Sequence, residues 1–159
     1  METITIRVYR DDVYDEVAKA TDYRGTKLSD GDEAVRDRIL AADDDLATLG
    51  RFWEEAVLVV NERLKLMLVT GMTRSVPDDT GGEHPAYVAL LEVSRSFDKE
   101  LTESVQQAVR SFFIAQVVAQ WFLLANKQEA ADYLTQAQEM LDGAERLLYS
   151  RMRPRRPGK

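Results

Sequence analysis

Residues Phe112–Ala125 read FFIAQVVAQWFLLA, and this stretch decides the fold. Twelve of its fourteen residues are apolar; the other two are Gln116 and Gln120. A surface helix carries one apolar stripe, whereas a helix that is apolar almost all round is covered on several sides. The cover is either the rest of its own bundle or another chain. Fourteen residues fall short of the about 20 that a bilayer-spanning helix needs. The stretch therefore predicts the central helix of a bundle, with an oligomer interface as the alternative for part of its surface. Gln116 and Gln120, one turn apart, mark the side where a polar contact or subunit boundary is expected.

Outward from this stretch the helical pattern continues both ways. Upstream, Leu101, Val105 and Ala108 lead into Phe112 at spacings of four and three, so the helix begins at about 97 or 98. Downstream, Asn126-Lys127 reads as a tight turn. A last helix over 128–150 comes next, with Ala130, Leu134, Ala137, Leu141, Ala144 and Leu148 on one stripe. So short a connection makes the last two helices an antiparallel hairpin. Pro154 and Pro157 stop the helical run, and Gly158 loosens the end of the tail.

The first half of the chain is mixed. Thr3-Ile4-Thr5-Ile6-Arg7-Val8-Tyr9 alternates polar and apolar residues and reads as a strand, with Ile4, Ile6 and Val8 on one face and Tyr9 on the other. Asp11-Asp12 opens a short helix to about Ala20, where acids suit the positive end of the helix dipole. From Val35 to Met67 apolar residues recur at spacings of three and four, which allows one helix of about 35 residues. Asp43-Asp44-Asp45 is better suited to capping than to a helix interior, which favours a short helix over 32–42 and a long one over 44–70 closed by Gly71. Residues 71–86 hold three of the eight glycines and two of the four prolines and read as an exposed loop. Tyr87–Val93, YVALLEV, reads as a second strand able to pair with 3–9.

The chain has 159 residues, a length that fits one domain. It has no cysteine, so disulfides and thiolate metal sites are excluded. No basic-then-apolar leader opens the sequence. The net charge of −7 is unevenly spread: all 28 acids and 15 of the 21 Lys and Arg lie in 1–145, whereas 146–159 holds six basic residues and no acid. Such a body repels nucleic acid, while the tail can meet phosphate or an acidic surface. Arg151, Arg153, Arg155 and Arg156 are the candidate contacts, because arginine rather than lysine suits such partners. The competing reading is a frayed, solubilising terminus.

Motifs for chemistry are sparse. The single histidine, His84, has no second histidine or cysteine to complete a metal site and reads as exposed and inert. Glu54, Glu55 and Glu62 flank the apolar stripe of the long helix, where solvated charges belong. Asp30-Gly31-Asp32-Glu33 and Asp43-Asp44-Asp45 lack the calcium-loop pattern and read as caps. No phosphate loop, dinucleotide fingerprint, nucleophile elbow or zinc-protease motif occurs.

Two resemblances to known families are present. Asp43-Asp44-Asp45-Leu46, followed by Leu49, Trp53, Glu54-Glu55-Ala56-Val57 and Val60, resembles the helix-opening segment of small phage head–tail connector (adaptor) proteins. RDDVYDEVAKATDYRGTK (10–27), RFWEEAV (51–57) and YSRMRPRRP (149–157) together resemble uncharacterised proteins of phage and prophage gene clusters of gut Bacteroidetes. The connector resemblance implies ring-forming subunits seated between portal and tail.

The expected fold is mainly α, a bundle of three to five helices with a small two-stranded sheet; 1–150 form a single helical domain and 151–159 a basic Pro/Arg tail. The expected function is non-enzymatic virion assembly in a virion or host cytoplasm, as a homo-oligomer contacting other virion proteins. The tail would reach DNA or an acidic surface, and no membrane, cofactor, metal or catalytic residue is involved. Phe113, Val117 and Trp121 join the four arginines as partner-binding residues. The alternatives are a soluble bundle binding a small apolar ligand beside Trp121 and Phe122, or a host regulatory partner. A hydrolase using Glu54, Glu62 or His84 is a third.

Overall fold

The computed structural model describes residues 1–29, with backbone alone from 24, and 45–154. Strand β1 (Glu2–Tyr9) leads into α1 (Arg10–Ser29), and α2 (Leu46–Arg63) follows. A hairpin of β2 (Leu68–Pro77) and β3 (Glu83–Val93) comes next. A 3-10 turn (Lys99–Leu101) opens α3 (Thr102–Ala125), and α4 (Lys127–Leu148) closes the fold. The expected helix over 32–42 and the Asp30–Glu33 cap lie outside the described residues.

The sheet has three antiparallel strands in the order β1-β3-β2, so the expectation of two strands is corrected. The β1–β3 pairing is the one anticipated, with Ile4 opposite Leu91, Ile6 opposite Ala89 and Val8 opposite Tyr87. These six side chains are buried on one face. Because successive strand residues point to opposite sides, Tyr9 falls on the other face, where it packs on Val76, Ala86 and Val88.

The added strand comes from two corrections. The long helix ends at Arg63, not 70: the Leu64 N–H still reaches the Val60 carbonyl, and Met67 then turns back to Leu64. The stretch expected to be a loop, 71–86, is mostly the hairpin. Its turn residues are confined to Asp78–Gly82, where the Asp78 carboxylate accepts from Thr80 N–H (2.9 Å), the Thr80 hydroxyl (2.7 Å) and Gly82 N–H (3.0 Å). Gly81 adopts φ +87°, a region glycine enters without a Cβ clash. Pro85 lies beyond the end of β1, where β3 has a neighbour on one side only, so its missing N–H is tolerated.

Gly71, read from sequence as a helix terminator, instead sits in mid-strand beneath α2. A Cβ there would collide with Asn61 Oδ1 and approach the Tyr87 hydroxyl to 2.9 Å. The absent side chain lets Asn61 donate to the Gly71 carbonyl (3.0 Å) and accept from the Tyr87 hydroxyl (2.6 Å).

Helix α3 is the hub. It packs on α4 above all, and also on α2, α1 and β1. Its inward side chains include Val105, Val109, Phe112, Phe113, Val117 and Phe122, all fully buried. Small residues on α4, namely Ala130, Ala137 and Ala144, are buried in the α3–α4 contact, and small contact residues let helix axes approach closely. Asn126 alone joins the two helices, and its carboxamide caps α4 through Gln128 N–H (3.2 Å). With its leading turn, Lys99–Ala125 is long and apolar enough to cross a membrane by length and composition, yet most of its apolar window is buried inside this molecule. Among the described residues, hydrophobic burial on this scale is the dominant stabilising term.

Candidate interaction surface

The expected partner-binding residues separate into two groups. Phe113 and Val117 are fully buried and Trp121 is 8% exposed. Phe113 stacks on Trp53, with ring centroids 4.4 Å apart, and leans on Tyr87 at 5.3 Å. Phe113, Val117 and Trp121 hold the chain's own core, which removes them as contact points for a partner. The all-round apolarity of α3 is satisfied within the molecule, and the large apolar side chains left outside are confined to Leu123 and Leu124 at its end.

The arginines behave differently. Arg151 is anchored: its guanidinium donates to Ser94 Oγ and Ser96 Oγ, each at 2.6 Å. Met152 N–H donates to the Ser96 carbonyl (2.7 Å), and Arg151 forms a bridge with Phe97. The start of the tail is therefore stitched to the loop after β3. Arg153 is exposed, and Arg155 and Arg156 lie outside the described residues.

That stitch borders a groove of about 560 Å³. Val93 and Leu148 are its buried floor, and Met1, Leu66 and Tyr149 are its exposed walls. Leu66 is 85% and Tyr149 53% exposed. Arg95 and Arg151 stand at the rim with Glu92. Next to it, across the ends of α2 and α4, lies a shallow surface of Leu58, Val59, Glu62, Arg63, Lys65 and Glu145. Leu58 is 68% exposed and has Glu54, Glu55 and Glu62 within one helical turn. Arg63 is held by Asp142 (2.5 Å) and Gln138 (3.0 Å), which ties α2 to α4 beneath this surface. Sequence reasoning passed over Leu58, Leu66 and Arg95. The available signal was phase: Leu58 and Leu66 fall off the stripe that runs through Ala56, Val60, Leu64 and Met67.

The candidate chemical residues do not converge. Glu54, Glu55 and Glu62 point into solvent. His84 lies between two carboxylates, Nε2 at 2.8 Å from Asp78 and Nδ1 at 3.6 Å from Asp11. Because these contact opposite ring nitrogens, the pair cannot share one ligand position with the imidazole. Among the described residues no group of three His, Asp or Glu is placed to hold a metal ion. Asp45 occupies the N-cap of α2 without a capping side-chain bond, and Asp43 and Asp44 lie outside the described residues.

The shifted titrations are structural. The Asp12 carboxyl is held below its ordinary range chiefly by its bond to Arg110 (2.6 Å), which joins α1 to α3. Asp78 is lowered mainly by the Thr80 hydroxyl. Burial pushes the Tyr87 and Tyr14 hydroxyls up. Gln116, the expected polar contact on α3, is buried, with its Oε1 lacking a hydrogen-bond partner. A small cleft of about 170 Å³ between α1, α3 and α4 is lined by Ile114, Val118, Tyr133 and Met140. It is well below the roughly 300 Å³ at which small-molecule pockets begin.

No protein-family model, curated protein or solved structure matches this chain.

Proposed function

We propose that this chain is a non-enzymatic assembly protein of a phage or prophage particle, of the head–tail connector kind, working through contacts with copies of itself and with other virion proteins. One observation carries the reading. A solvent-facing apolar groove, walled by Leu66 and Tyr149, lies where the arginine-rich tail leaves the body. An apolar floor with the charged side chains Glu92, Arg95 and Arg151 around it has the layout of an interface, apolar at the centre and polar at the rim. The strong asymmetry of charge supports the same reading, since an acidic body with a basic end favours ordered association. The resemblance of 43–60 to connector proteins, and of 10–27, 51–57 and 149–157 to phage and prophage proteins, supplies the context.

Mass measurement in solution, for the full chain and for a chain ending at Arg153, tests the proposal. Oligomers that form at micromolar concentration, in a gene neighbourhood of portal, capsid and tail genes, are expected. A chain that stays monomeric at high concentration and binds no other virion protein overturns it.

A further inference from the structure

The groove and the Leu58 surface are two halves of one face. Leu66 follows Leu58 by eight residues through the end of α2. Along α4, Glu145 borders the Leu58 side, while Leu148 and Tyr149, one turn on, border the groove. The halves differ in charge. The Leu58 half presents an exposed leucine among Glu54, Glu55 and Glu62, with Lys65 paired to Glu62 at 2.7 Å. The groove half is concave and apolar, with Arg95 and Arg151 against the single acid Glu92. Arg151 is held by neutral serine hydroxyls, so its charge is not compensated there.

A face that carries a feature and its complement side by side can pair with its own copy across a two-fold axis. In such an isologous contact, residue i of one copy meets j of the other and j meets i. We propose that the partner of this face is a second copy of the chain. In this two-fold dimer each copy's Leu58 enters the other's groove, and its glutamates face the other's Arg95 and Arg151. Both sets of contacts are made twice, and the acidic half of each copy lies over the basic half of the other. Burying leucine and tyrosine supplies the affinity, and the crossed charges fix the register. This rests on the reading of the chain as one that acts by binding other chains, and adds the surface and the symmetry.

The test uses the full chain and substitutions at exposed positions, where folding is little affected. Leu58→Asp and Leu66→Asp each place a charge in the contact. Leu124→Asp, at a 66% exposed site at the end of α3, is the control. Circular dichroism verifies the fold, and sedimentation equilibrium reads the mass. Dimers, or multiples of dimers, are expected for the wild-type chain and Leu124→Asp. Leu58→Asp and Leu66→Asp should each weaken the dimer at least tenfold, and Arg95→Glu should weaken it most at low salt, where charge contacts are least screened. A wild-type oligomer that Leu58→Asp and Leu66→Asp leave intact overturns the dimer face and leaves the assembly reading standing. A wild-type chain that is monomeric throughout but binds another virion protein overturns the dimer alone, and one that is monomeric and binds no other virion protein overturns both.

Discussion

Trp53 and Phe113 stack with ring centroids 4.4 Å apart and planes inclined by 30°, which joins α2 to α3 at the centre of the molecule. The indole N–H of Trp53 donates to Thr73 Oγ1 at 2.8 Å, so the same side chain also holds strand β2. Tyr14 of α1 meets Trp53 edge-on at 6.4 Å. One residue thus ties together three helices and the sheet edge.

Removing either member of this stack should be costly. Phe113→Ala leaves a cavity against Trp53, Tyr87 and Phe112, and is expected to destabilise by about 3–5 kcal/mol. Trp53→Phe keeps much of the apolar volume but strips Thr73 of its donor, with an expected loss of about 1–3 kcal/mol. Urea unfolding measures both. Equal, small losses for the two variants would contradict a shared central stack.

Gly71→Ala is expected to destabilise by about 1–3 kcal/mol, because a Cβ at this position meets Asn61 and the Tyr87 hydroxyl. Asn61→Ala removes that crowding but leaves the buried Tyr87 hydroxyl without its acceptor, a loss of about 1–3 kcal/mol. In the double variant the two losses should fall short of their sum, since both act on one contact. Thermal melts of the four chains check the cycle.

The Asp12–Arg110 pair makes stability depend on pH in the acid range. The carboxyl of Asp12 titrates below its ordinary value in the folded chain, so its contribution is fully present above the unfolded value of about 4. It is lost as pH falls through the lower, folded value. Both partners are partly solvated, which limits the pair to about 0.2–1 kcal/mol. Asp12→Asn should therefore destabilise at pH 7 and converge with the wild-type chain in strong acid. A difference that persists unchanged at low pH would assign the effect to packing instead.

Arg151→Ala should release Met152, because it removes both serine contacts that hold Arg151 to the loop after β3. Backbone hydrogen exchange at Met152, whose N–H bonds to Ser96, is the direct readout. Faster exchange there with unchanged protection in α3 is expected.

Local periodicity carried much of the fold. The stripes of α3 and α4, the alternation of β1 and the tight link at Asn126 all come from residue spacing and capping chemistry that act within a few residues. Strand β2 shows where that reasoning stops. Leu64 and Met67 continue the helical phase of α2, which masks the strand preference of Val69, Thr70 and Thr73 just beyond. The strand forms because Leu68–Pro77 finds a partner in β3, and turn residues Asp78–Gly82 hold the two together. The partner surface divides in the same way. The sequence identified apolar excess in α3 and basic charge in the tail, but Phe113, Val117 and Trp121 proved to be interior.

The amino-acid sequence by itself determined that this is a mainly helical chain with an acidic body, a basic end and a central helix requiring cover on every side. Those are properties of composition and short-range spacing. Only the tertiary structure decided what provides the cover. Helices α1, α2 and α4 and strand β1 close around α3, because buried area is a property of pairs of elements distant in sequence. It also decided what stays open: Leu58 and Leu66, two residues off the helical phase, which no remaining element of the described fold reaches.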